Sequence, residues 1–224
     1  MADPTVAERQ QHIVQIMATE HFTLQTGRGI TVAEANGRVG VYLSTVSTTL
    51  VALAFIGQMS HLGPAFYLFG LILFASVFFL GLFTFVRVLQ SGLEDAIYLR
   101  GINRIRHYYL EMLPEMAPYF ILSTHDDERG GMRDFGIRRL HPRVQGFLTT
   151  AGLVAVIDSI VAGAFVGLLV GLLVSLLALA VGAGVVTFLL CVVAHQRYQA
   201  TQWAALDQTI TPLFPSPTMK TPTP

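Results

Sequence analysis

Asp158 is the residue with the clearest physical case for chemistry. It is the only formally charged side chain between Arg143 and Arg197, in a stretch that is almost wholly apolar. A carboxylate at the centre of a membrane costs about 3 kcal/mol and is tolerated through protonation, a polar partner or a water-filled cavity. Counted from the start of its apolar run, Asp158 lies about eleven residues in, roughly 16 Å at 1.5 Å per residue, near the middle of a hydrocarbon core about 30 Å thick. An earlier apolar run carries Ser44, Thr45, Ser47, Thr48 and Thr49. Thr48 and Thr49 are expected at a similar depth, as hydrogen-bond partners of Asp158. Asp158, Thr48, Thr49, Ser44 and Ser159 are therefore the candidates for an ion or proton path. The structural alternative is a neutral Asp that bridges helices, with Ser and Thr hydroxyls bonded to their own helix carbonyls.

The second pattern surrounds that carboxylate. Ala151, Ala155, Ser159, Gly163, Gly167, Gly171 and Ser175 recur every four residues. Positions four apart stack on one helix face, so the repeat is a ridge of small side chains against which another backbone can come close, as membrane helices do. No catalytic constellation accompanies it. Helix-spaced metal pairs, a nucleophile elbow, phosphate-cradling loops and paired intramembrane carboxylates are all missing. Gly27-Arg28-Gly29 lacks the third glycine of a nucleotide loop, and the seven His have no ligand spacing. His125 beside Asp126 and Asp127 is a weak cation candidate with no ordered ligand spacing. No enzyme, cofactor or metal is expected.

These residues need a membrane to position them. Hydrophobic residues make up 53% of the 224, charged residues 12%, and mean hydropathy is +0.57, against about 25% charged in a soluble domain. A formal net charge of +0 gives no case for nucleic acid. The single cysteine, Cys191, lies in the last apolar run and is expected to be a small buried hydrophobe. Met1 to Arg38 is polar and charged, so the first apolar run is expected to be its own insertion signal.

In chain order, Val6, Ile13, Ile16, Met17 and Leu24 suit an amphipathic helix that ends at Gly27. A first span closes at Gly63-Pro64. The second is rich in Phe, which suggests a lipid-exposed or loosely packed helix, and it continues past Arg87 to Pro114 as a solvated helix. Residues 114–131 read as a loop. Arg133, Arg138, Arg139 and Arg143, interleaved with apolar residues, suit anionic lipid headgroups. Residues 147–194 are too long for one span and divide near Gly171 to Ser175, with Gly182, Gly184, Ala178, Ala180 and Ala183 set against the ridge. Nine Arg lie between Arg87 and Arg143 inclusive, while the turns at 58–63 and 171–175 carry no Lys or Arg. The positive-inside rule then puts both termini and the central segment in the cytoplasm.

Two likenesses accompany this reading. Glu20-His21-Phe22-Thr23-Leu24-Gln25-Thr26, Ala33-Glu34-Ala35-Asn36-Gly37-Arg38 and the Ser/Thr-rich first span resemble a family of uncharacterised bacterial four-span membrane proteins, over about 20–195. That resemblance implies a topology and no function. The layout of helices is also loosely similar to membrane effectors of bacterial nucleotide-signalled defence systems, without a shared motif.

The expected architecture is an all-α polytopic membrane protein of a bacterial inner membrane, with N- and C-termini cytoplasmic. It comprises a cytoplasmic amphipathic helix and linker (1–37), transmembrane helices at 38–62, 63–87, 146–171 and 173–195, a cytoplasmic helical extension (88–145) and a largely disordered tail (196–224). The expected partners are the lipid bilayer, further copies of the chain, and a cytoplasmic protein or small-molecule signal. The leading function is an oligomeric channel or pore; a proton-coupled transporter using Asp158 and a non-transporting scaffold are the alternatives.

Overall fold

The computed structural model describes residues 5–135, 142–174 and 176–217, without the side chains at 142 and 143. Among the described residues every regular element is helical: α1 Val6–Met59, α2 Pro64–Met112, a 3₁₀ turn Pro114–Tyr119, α3 Glu128–Asp134, α4 Pro142–Leu148, α5 Thr150–Leu173 and α6 Leu177–Thr209. Four of them, α1, α2, α5 and α6, are long and apolar enough to cross a membrane. Their most apolar stretches reach a mean hydropathy of 1.9 to 2.6, and a core about 30 Å thick needs about 20 residues. The chain is therefore read as a multi-pass membrane protein.

Two compact units share the long helices. One contains residues up to Val32, Leu93–Leu140 and Leu206 onward; the other contains Ala33–Gly92 and His141–Ala205. The expected helix end at Gly27 and the linker before the first span are not found, because α1 runs unbroken through Gly27 and Gly37. Gly27 is a packing residue instead: a Cβ there would stand 3.0 Å from the ring of Tyr98. The break between α1 and α2 falls where Gly63-Pro64 predicts it. His61 and Leu62 take left-handed conformations (φ 47° and 57°), the Leu62 N–H returns to the Gly57 carbonyl at 3.0 Å, and Pro64 opens α2 where no N–H is needed.

The first unit is organised by ion pairs around a small core of Ala96, Leu99, Ile102 and Ile105. Arg28 grips Asp95 through two hydrogen bonds of 2.7 and 3.1 Å, Arg100 pairs with Asp207, and Asn103 bridges the His125 carbonyl and Asp134. The acidic run expected to be solvated is solvated only in part: Asp126 is buried, Asp127 half-buried and Glu128 exposed. Asp126 is fully enclosed and accepts from Arg104 and from the N–H groups of Leu213 and Phe214, while Asp127 caps α3 and accepts from Ser216. The expected disordered tail is corrected accordingly: α6 continues to Thr209, and residues 211–217 are pinned by these two carboxylates and by Phe214 stacked on His107 at 3.8 Å. Residues 114–131, read as a loop, contain the 3₁₀ turn and the start of α3.

In the second unit α5 is the most enclosed span and α6 the least, with 39% and 6% of their apolar stretches buried. The Phe-rich second span, expected to be lipid-exposed or loosely packed, has 28% of its apolar stretch buried. Val77, Phe85, Val88 and Leu89 of α2 are buried, and Phe69, Phe79 and Phe83 on its other side are exposed. The ridge on α5 is buried from Ala151 through Gly163 and meets α6 backbone to backbone. A Cβ at Gly163 would lie 2.7 Å from the Gly184 carbonyl oxygen, and one at Gly167 would lie 3.3 Å from that of Ala180. Side chains of ordinary size would hold these helices apart.

Candidate functional site: a buried Asp-His pair

Four spans of the second unit deliver one side chain or one gap each to the point where Asp158 sits. Tyr42 of α1 donates its hydroxyl to Asp158 Oδ1 at 3.2 Å, and His195 of α6 brings Nε2 to 3.5 Å from Oδ2. Gly81 of α2 supplies the space. A Cβ there would overlap Asp158 Oδ1 and stand 2.7 Å from the Tyr42 hydroxyl, so a side chain at 81 and the carboxyl of 158 exclude one another. Phe85, one turn on from Gly81, places its ring edge-to-face on the His195 imidazole with centroids 4.6 Å apart. Tyr42, Asp158 and Ser159 are fully buried and His195 nearly so.

Local structure orients the imidazole before the carboxylate meets it. His195 Nδ1 is 2.8 Å from the carbonyl oxygen of Cys191, one turn earlier on α6, and 3.4 Å from Ser159 Oγ; the Ser159 hydroxyl donates to the Ala155 carbonyl at 2.6 Å. One further turn along the same face of α6, the buried Gln199 donates to the Gly146 carbonyl at 3.3 Å and to Thr149 Oγ1 at 3.2 Å, at the junction where Thr149 caps α5. His195, facing Asp158, and Gln199, bonded at the start of α5, are thus successive buried polar groups on one face of α6.

The expected partnership of Asp158 with Thr48 and Thr49 is not formed. Thr48 donates to the Ser44 carbonyl at 2.9 Å on its own helix, Thr49 is buried elsewhere, and Tyr42, about 9 Å nearer the start of α1 at 1.5 Å per residue, takes the place assigned to them. α4 ends at Leu148 and α5 begins afresh at Thr150. Asp158 therefore lies closer to the entry end of its span than an unbroken helix from 147 would put it. Gly81, Tyr42 and His195 likewise sit near the polar ends of their apolar runs, which accounts for the meeting of these four.

Of the path candidates, Asp158 and Ser159 come together, whereas Ser44 and Thr48 lie exposed on another face of α1 with Gly37 and Gly40. Ala151, Ala155, Gly163, Gly167 and Gly171 occupy the α5 ridge, and Ser175 lies outside the described residues. Arg133 is exposed on α3 of the first unit; Arg138 and Arg139 lie outside the described residues, as does the side chain of Arg143. Tyr42, Gly81 and His195 escaped the sequence reading. The signal for His195 was present: it is the sole His bordering the last apolar run, one turn after Cys191. Nothing in the sequence marks Gly81 among 20 glycines. Comparisons with protein-family models, with curated proteins and with solved structures return no match for this chain.

Proposed function

We propose that this chain is a non-enzymatic, homo-oligomeric membrane protein of channel type, in which the exposed polar face of α1 lines or borders the conducting path. The observation that carries this reading is the face itself. Gly37, Gly40, Ser44 and Ser47 follow one another three or four residues apart, Thr48 stands one turn after Ser44, and all are exposed, in a helix otherwise apolar enough to span a membrane. Small and hydroxylated residues on a lipid-facing surface gain nothing from lipid, whereas close packing between copies or contact with water uses both properties. The ridge on α5 no longer supports an oligomer, since it is spent on α6. Continuous helices shared by the two units give a signal received at the first unit a route to α1 and α2.

The test is ion flux from liposomes containing the purified chain with Cys191→Ser and one of Ser44→Cys, Ser47→Cys or Phe79→Cys. Flux blocked by a charged thiol reagent at 44 and 47 but not at 79 is the expected result. Flux insensitive to the reagent at all three positions overturns the assignment of the path to α1, and absence of flux supports a scaffold. The buried Asp158 and His195 favour a second reading, proton-coupled transport, which requires flux driven by a pH gradient and lost in Asp158→Asn.

A further inference from the structure

The hydrogen bonds around His195 fix where its protons are. The Cys191 carbonyl oxygen at 2.8 Å can only accept, and Ser159 Oγ at 3.4 Å has its own hydrogen directed at Ala155, so both neighbours require a hydrogen on Nδ1. Nε2 then faces Asp158 Oδ2 at 3.5 Å, and neither atom has a hydrogen-bond partner among the described residues. Oδ1 already accepts from Tyr42. If no proton lay between Nε2 and Oδ2, an imidazole lone pair would oppose a carboxylate that is fully buried in apolar surroundings, the arrangement that burial penalises most.

We infer that Asp158 and His195 form a proton-binding site within the second unit that holds one exchangeable proton between α5 and α6. The proton belongs to the pair. On Oδ2 it gives a carboxylic acid and a neutral imidazole; on Nε2 it gives a carboxylate and an imidazolium. Both forms are neutral, so it is release of the proton, or capture of a second, that places net charge in the core. The groups that bear on it are Tyr42 from α1, Ser159 from α5 and Cys191 from α6, while α2 contributes only the gap at Gly81 and the ring of Phe85. Gln199, buried one turn from His195, is bonded to Thr149 and does not touch the pair. Because this pair clamps α6 to α5, a change in occupancy alters the seating of the least enclosed span. The site is independent of whether the chain conducts ions.

The experiment is nitrogen-15 NMR of histidine-labelled protein in lipid vesicles, with infrared spectra of the carboxyl region, from acid to alkaline pH. The His195 signals are identified by their disappearance in His195→Gln. The expected result is a protonated Nδ1 together with a hydrogen-bonded Nε2 whose signal changes in Asp158→Asn, and an infrared band that shifts in deuterated water and is lost in that variant. Tyr42→Phe, which keeps the pair, should displace the Asp158 band without removing the proton, and it serves if Asp158→Asn does not fold. A bare Nδ1, or an Nε2 signal and carboxyl band indifferent to folded Asp158→Asn and to Tyr42→Phe, would overturn the inference.

Discussion

At the scale of single residues, Gly81 tests whether the four-span cluster is packed as described. The carboxyl of Asp158 and the hydroxyl of Tyr42 occupy the volume a side chain would need, so Gly81→Ala must displace one of them or separate α2 from α5. Overpacking of this kind costs about 1–3 kcal/mol. A Cβ at Gly182 meets nothing within 4 Å, and Ala in a helix is favoured over Gly by roughly 1 kcal/mol. Thermal unfolding in detergent should therefore fall for Gly81→Ala and hold or rise for Gly182→Ala. Equal midpoints would mean that Asp158 is not held against α2.

At the scale of the element, the contact between α5 and α6 depends on the absence of side chains rather than on their presence. Gly163 and Gly184 approach until a Cβ on either would lie 2.7 to 2.8 Å from the other's carbonyl oxygen. Gly163→Leu forces the two backbones apart along their length and forfeits many small dispersion contacts together. It should destabilise the protein by several times more than Ile160→Leu, at an exposed site on the same helix. It should also weaken the Asp158–His195 pair, which joins the same two helices. A comparison of unfolding midpoints for the two variants checks the first claim. Similar midpoints would move the α5–α6 contact elsewhere.

The C-terminal segment is a second element-scale case. Asp126 is fully buried with Arg104 and two backbone N–H groups directed at it. Burial alone would raise its pKa, but the Leu213 N–H, the Arg104 guanidinium and the Phe214 N–H outweigh it and hold the carboxyl below the ordinary carboxylate range. Asp127 is lowered against burial in the same way by the Gly130 and Ser216 donors. A group whose pKa is lowered by folding stabilises the fold above its unfolded value, about 4, and the stabilisation disappears as the pH falls through the lower folded value. Protection of the 211–217 amides from hydrogen exchange, corrected for the intrinsic pH dependence, should thus be lost on acidification. Asp126→Asn should release the same segment at neutral pH, at a cost of about 2 kcal/mol. A segment equally protected in Asp126→Asn would show that other contacts hold it.

For the whole molecule, the distribution of Arg and the four apolar helices lead to the proposal that the turns at 58–63 and 171–175 face away from the cytoplasm and that the first unit lies within it. In a Cys191→Ser background, Ser60→Cys and Leu173→Cys should react with an impermeant thiol reagent applied outside intact cells. Ile121→Cys, at a site 89% exposed, should react only after permeabilisation. Labelling of all three from one side would overturn the four-span topology.

Sequence alone determined that the chain is helical, where its apolar runs lie, that 171–175 divides the long one, and that Gly63-Pro64 breaks the first pair. Each of these rests on local composition and on the fixed rise of a helix, which a linear reading carries without knowing any neighbour. It also singled out Asp158, because a lone charge in an apolar run is conspicuous by itself. The partner of that charge was decided only in three dimensions. Register between helices depends on how they pack, and the packed helices bring Asp158 to Tyr42 and His195, while Thr48 bonds within its own helix. The acidic run at 126–128 is similar. Its composition reads as solvated, yet Asp126 is buried and Asp127 half-buried, because backbone donors from residue 213 onward, far along the chain, compensate the charge that burial would otherwise expel.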